Sequence, residues 1–151
     1  MNSRSLKASI NAVVREFGFN GKGSSYYLVC ADVVLAMSLR KSTHGNYYYL
    51  DCGINLIALS GDAMPGVSDC GIQFSLNVLA GEDVSIIVKA LDMDSAQEDD
   101  VANLVLLMRR QCLPQLLDMS SLAALRNMYK QGRLKGSLLL KQAREVLESK
   151  D

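Results

Sequence analysis

Residue types capable of acid–base or covalent chemistry are few and scattered in this 151-residue chain. His44 is the one histidine, and Cys30, Cys52, Cys70 and Cys112 are the four thiols. A nucleophilic thiol needs an adjacent base, and His44 with Cys30, Cys52 or Cys70 is an arithmetically possible pair. His44 falls within the turn cluster Ser42-Thr43-His44-Gly45-Asn46, however, which reads as a solvent-facing loop. The cysteines form no CxxC pair and stand far from further imidazoles, so neither a metal site nor a cofactor is expected. Reduced, buried thiols in a cytoplasmic protein are the reading they support, with disulfides as the alternative. No GxGxxG, Walker loop, HExxH or GxSxG occurs. The segment from Gly18 to Ser24 is glycine-rich, but it follows a helical pattern and precedes a strand pattern, the reverse of a phosphate loop. Asp92, Asp94 and Asp99 could be drawn as paired carboxylates, as could the members of any acidic loop.

Two other features carry more information. Tyr47-Tyr48-Tyr49, with Tyr26 and Tyr27 nearby, is an unusual aromatic concentration. At a period of two, Tyr47 and Tyr49 share one sheet face and Tyr48 takes the other. Such residues serve ordinary sheet packing or a tyrosine-rich binding face. The second feature is charge. The chain is neutral overall, with 16 basic and 16 acidic residues. Residues 1–50 nevertheless hold six bases and two acids, residues 51–100 one base and ten acids, and residues 101–151 nine bases and four acids. The middle third is an acidic belt between basic ends. Neutrality argues against a general nucleic-acid binder, which is usually strongly basic. The belt is either a set of solvated loops or a surface that steers a basic partner.

The elements that must position these residues follow from periodicity. Leu6, Ile10, Val13, Val14 and Phe17 recur at spacings of three and four, predicting an amphipathic helix over residues 3–17, capped by Ser3 or Ser5 and closed by Gly18. Gly21 and Gly23 predict a mobile turn. Three β-prone runs follow, at 26–30, 33–39 and 47–59, with connections short enough to require an antiparallel meander. A loop at 60–69 leads to a fourth strand over 71–79, and residues 84–91 fit a strand or a helix equally well. From Glu98 the pattern is helical, kinked or ended by Pro114, resumed after Ser120 or Ser121, and resumed again after Ser137. An N-terminal helix, an antiparallel sheet of about four or five strands, and C-terminal helices packed on it make an α+β fold. One domain spanning 1–151 is expected, with 1–91 forming the helix and sheet and 98–150 the helical part. Residues 1–10 lack the apolar stretch of a secretory leader, and no run reaches the roughly 18 apolar residues of a membrane span.

The segments Glu16-Phe-Gly-Phe-Asn-Gly-Lys-Gly-Ser-Ser-Tyr-Tyr, Leu39-Arg-Lys-Ser and Tyr47-Tyr-Tyr-Leu-Asp-Cys-Gly-Ile resemble the bacterial domain of unknown function 4304. Gly18, Phe19, Gly23, Lys41, Ser42, Tyr48 and Gly53 fit its pattern. Arg40 and Asp51 stand where the family often has Gln and Asn. Cys112-Leu-Pro-Gln-Leu-Leu-Asp resembles its C-terminal part. The resemblance implies no established catalytic residues, and it implies, for some members, a role as immunity proteins of bacterial toxin systems. The expected function is therefore non-enzymatic: binding and neutralising a cognate toxin, such as a basic nuclease of a contact-dependent or polymorphic system, by covering its active site. The residues expected to contact it are Asp92, Asp94, Glu98, Asp99, Asp100, Tyr47 and Tyr49. Neither nucleic acid nor membrane is an expected partner. The alternatives are an interaction adaptor unrelated to toxins and, last, an enzyme using His44 with a cysteine.

Overall fold

The computed structural model describes residues 1–61, 64 and 66–149, apart from the side chain of Lys22. Helix α1 spans Ser3–Glu16 and buries Leu6, Ile10, Val13 and Val14, as the periodicity requires. Its cap is Asn2 rather than Ser3 or Ser5: Asn2 has extended backbone, and its side chain accepts the Ser5 N–H at 2.9 Å. The chain leaves the helix through Gly18, whose φ of 91° is left-handed.

Six antiparallel strands follow in sequence order: β1 (Asn20–Lys22), β2 (Ser25–Val29), β3 (Val33–Lys41), β4 (Tyr48–Leu56), β5 (Ile72–Ser75) and β6 (Leu138–Leu139). The α+β class and the meander stand as expected, with a slightly larger sheet. The additional β1 comes from residues read as a mobile turn. Gly23, at a φ of 66°, makes the first position of a two-residue turn, and Lys22 pairs with Ser25 across it. β3 and β4 form the longest ladder, nine pairs from Val33↔Leu56 to Lys41↔Tyr48. On one face Leu35, Met37, Leu50, Cys52 and Ile54 join the core beneath the helices. On the other, residues 66–70, which include a 3₁₀ turn at Val67–Asp69, cross over Gly53. Val34 and Ala36 are therefore buried as well.

The remaining helices are α2 (Ile57–Ser60), α3 (Asn77–Ala80), α4 (Val84–Leu91), α5 (Glu98–Leu107), α6 (Leu113–Leu117), α7 (Leu122–Lys130) and α8 (Lys141–Glu148). Several sequence expectations change, and the choice left open at 84–91 is decided. The strand expected over 47–59 ends at Leu56, where the chain turns into α2. The strand expected over 71–79 ends at Ser75, because the Ser75 hydroxyl accepts the Asn77 N–H at 3.1 Å and the chain turns into α3. Residues 84–91 are helical, burying Ile87, Ala90 and Leu91 at spacings of three and four. The last helix starts at Lys141, not after Ser137, because Leu138 and Leu139 pair with Gln73 and Ile72 at the edge of β5. Pro114 does not end its helix. A π-helical turn at Met108–Cys112 widens the hydrogen-bond ladder just before it, and Pro114 enters α6 in the first turn, where its missing N–H is not needed. Across the layers, Arg109 forms a bidentate pair with Glu16, both contacts at 2.8 Å.

A Cβ on Gly53 would lie 2.8 Å from the Cys70 sulfur, closer than real Cβ contacts come, and 3.3 Å from the Val67 Cα, a tight approach. Gly53→Ala is therefore expected to destabilise the fold by about 1–3 kcal/mol through overpacking. Urea denaturation measures this, and an unchanged midpoint would show that the crossing segment yields freely.

Candidate functional site: a tyrosine-rimmed cleft

The alternation of β4 places Tyr47 and Tyr49 on the sheet face away from the helices. Their rings meet edge to face with centroids 5.4 Å apart, and the Tyr49 hydroxyl lies 3.2 Å from that of Tyr47. Hydrogen bonding to Ser42, and then to Tyr49, holds the Tyr47 phenol below its ordinary pKa, while the bond to Tyr47 raises that of Tyr49. Arg40, the register partner of Tyr49, stacks its guanidinium carbon 4.4 Å from the ring centroid. The same guanidinium donates to Asp51 at 2.7 and 3.4 Å, so its charge is neutralised in place.

The acidic turn after α4 closes against this strand end. Tyr47 faces Asp92 in an antiparallel bridge. The Met93 N–H donates to the Asn46 carbonyl at 2.9 Å, and the Asn46 amide donates to Asp94 at 3.0 Å. Both Asp92 oxygens are used locally, accepting from the Asp94 N–H and the Ser95 hydroxyl at 3.1 Å each. Asp92 and Asp94 are thus brought to Tyr47 and Tyr49 from more than forty residues away.

The other three acids are placed differently. Asp100 closes a capping box on its own helix, accepting the Gln97 N–H at 2.8 Å, and lies 3.5 Å from the Lys89 ammonium with only 12% of its side chain exposed. Glu98 lines a separate groove between α1 and α5, beside Arg109. Asp99 is exposed on the first turn of α5. The five acids are therefore not one patch.

Between the tyrosines and α4 lies a cleft of about 310 Å³. It exists because β5 stops short. Ser75 pairs with Asp51 and the Leu76 N–H reaches the Leu50 carbonyl, but beyond that point β4 has a helix at its flank instead of a strand. Tyr48, Leu50, Ile87, Val88 and Leu91 make its apolar walls, Tyr47 and Tyr49 its rim, and Ser75, Asn77 and Asp92 its polar groups. Ser75, Asn77 and the α4 residues were not singled out in the sequence. Their contribution depends on α4 being a helix, and eight residues do not decide that by periodicity.

The thiol chemistry weighed from sequence finds no support in the surroundings. Burial pushes the Cys70 and Cys112 thiols up to about 11, raises Cys52 further, and raises Cys30 as well. A thiolate nucleophile beside an imidazolium has the opposite shift. His44 is exposed on the loop, its backbone N–H donating to Ser42. The Gly18–Ser24 segment forms the exit of α1 and the β1–β2 hairpin, with the Tyr26 ring against Gly21. Among the described residues, no group of three or more His, Cys, Asp or Glu side chains could hold a metal ion, and no helix is long and apolar enough to cross a membrane.

The sequence model of the family described as Domain of unknown function (DUF4304) matches residues 10–116, and the chain belongs to that family. No curated protein and no solved structure matches. All cleft residues fall within the matched segment.

Because folding raises these thiol pKa values, the stability they contribute is present below the ordinary thiol range and is lost as pH climbs toward about 11. Melting temperatures measured above pH 9 should fall accordingly, and Cys52→Ala with Cys70→Ala should flatten part of that decline. Iodoacetamide at pH 8 is expected to spare Cys52, Cys70 and Cys112 in the native chain and to label them in urea. Rapid native labelling would contradict the burial assigned to them.

Proposed function

We propose that this member of the DUF4304 family is a cytoplasmic immunity protein, which captures a basic toxin domain on the face that carries Tyr47, Tyr49, Asp92 and Asp94. The supporting observation is the bridge that clasps the strand end at Tyr47 to the turn at Asp92. It gathers two tyrosines and Asp92 around one partly apolar cleft, with Asp94 held nearby by the Asn46 amide. Aromatic side chains that bury area with little loss of rotamer freedom, ringed by fixed charge, suit protein recognition. The nearest base on the outer sheet face, Arg40, is already paired with Asp51 and does not offset the acids. A nuclease toxin carries positive charge for its phosphate substrate, so the same charge serves the inhibitor's approach. Neutralisation then requires only that the bound chain occlude the toxin's substrate path, with no chemistry performed by this protein.

The test is genetic and then kinetic. The product of the gene beside this chain's own should arrest growth when expressed alone and should be harmless when this chain is co-expressed. Asp94→Lys is expected to slow association with that product about fivefold at low salt, and the difference should close at high salt as charges are screened. A neighbour that is harmless alone, or an association rate indifferent to both the reversal and the salt, would overturn the proposal.

A further inference from the structure

Resting on that reading, we propose that the cleft between β4 and α4 receives a single lysine or arginine side chain from the partner protein. The walls set by Tyr48, Leu50, Ile87 and Leu91 suit the methylenes of a long side chain, and Val88, 58% exposed, forms an apolar lip. Among the described residues, Asp92 is the one acidic or basic residue lining the cleft. Its two oxygens are already oriented by the Asp94 N–H and the Ser95 hydroxyl, so a cation meets a carboxylate that is fixed before binding.

The backbone adds a second acceptor. The Tyr47 carbonyl accepts the Ser42 N–H on the β3 side, and the Leu50 carbonyl accepts the Leu76 N–H on the β5 side. In an antiparallel strand these directions alternate, so the Tyr48 carbonyl faces the same side as that of Leu50. There it looks toward the space where β5 no longer runs.

At the rim, one face of the Tyr49 ring is taken by the Arg40 guanidinium, whose charge is paired with Asp51. A volume of about 310 Å³ is at the lower end of small-molecule sites, which run to roughly 1,000 Å³. It accommodates one extended side chain and water. An anionic ligand would meet Asp92 unfavourably, and a purely aliphatic one would bury that carboxylate without an ion partner.

The experiment titrates the isotope-labelled full chain with N-acetyl-arginine amide, N-acetyl-lysine amide and the neutral N-acetyl-norleucine amide, followed by backbone NMR. The basic compounds should shift the amides of Tyr48 and of residues 87–92 saturably, with at least tenfold tighter binding than the norleucine compound. Asp92→Asn, which keeps an acceptor for the Asp94 N–H, should remove that discrimination. Val88→Trp, at an exposed position, should block the cleft and abolish the shifts without unfolding the chain. Equal affinity for norleucine amide, shifts mapping elsewhere, or discrimination that survives in Asp92→Asn would overturn the proposal. A toxin that binds the Val88→Trp variant with unchanged affinity would overturn the side-chain pocket alone. A toxin indifferent to reversal of Asp94 would overturn the docking face itself.

Discussion

The pairing of β3 with β4 is the constraint on which the other elements depend. Its nine pairs run through the middle of the sheet, and it is buried on both faces over much of its length. Because side chains alternate with a period of two, a slip of one residue would exchange Leu35, Met37 and Leu39 for Val34, Ala36 and Ser38 beneath the helices. A matching slip in β4 would drive Asp51 and Asn55 toward the core. The register is therefore fixed by the difference between the two faces. It also settles the electrostatics of the outer face, since it sets Arg40 opposite Tyr49 and Ser38 opposite Asp51. The stacked, ion-paired arginine follows from strand alignment and needs no separate device.

The cleft arises where that regularity stops. β4 is nine residues long and β5 only four, so one end of β4 projects beyond its neighbour. A sheet edge left open invites unwanted pairing. Here α4 and the turn after it stand beside the projecting end, and Asp92 bridges to Tyr47. The helix hides less of the edge than a strand would, and the residual gap is the cleft. Gln111 and Gln115 steady the far side of this arrangement by donating to the carbonyls of Leu79 and Ala80, at distances from 2.8 to 3.0 Å. They satisfy the C-terminal carbonyls of α3, which is too short to satisfy its own.

The legible parts of the fold were those whose signal is local. α1 shows its buried stripe directly, and α5 begins at Glu98, where acids precede an apolar run. The shared face of Tyr47 and Tyr49 follows from period two alone. What escaped depended on partners distant in sequence. Leu138 and Leu139 look like the opening of a helix until β5 claims them as its edge. Residues 84–91 carry an apolar pattern too short to separate helix from strand. The acidic residues were visible as a composition, but their roles diverge by single hydrogen bonds. Asp92 orders a turn, Asp94 reaches Asn46, and Asp100 caps its helix. The Gln97–Asp100 spacing did hold a sequence signal for that last role, since a box of this kind places its carboxylate three residues after the cap.

The order of the sheet has a consequence for how the chain assembles. β1 to β5 are each laid beside the strand just completed, so these pairings close short loops and can form while synthesis continues. β6 breaks that pattern. The helices from α3 to α7 all emerge between β5 and the two residues that pair with it. Until Leu138 and Leu139 leave the ribosome, Ile72 and Gln73 present an uncovered strand edge. The nascent chain is thus most open to mispairing in the interval when its helices are still being made.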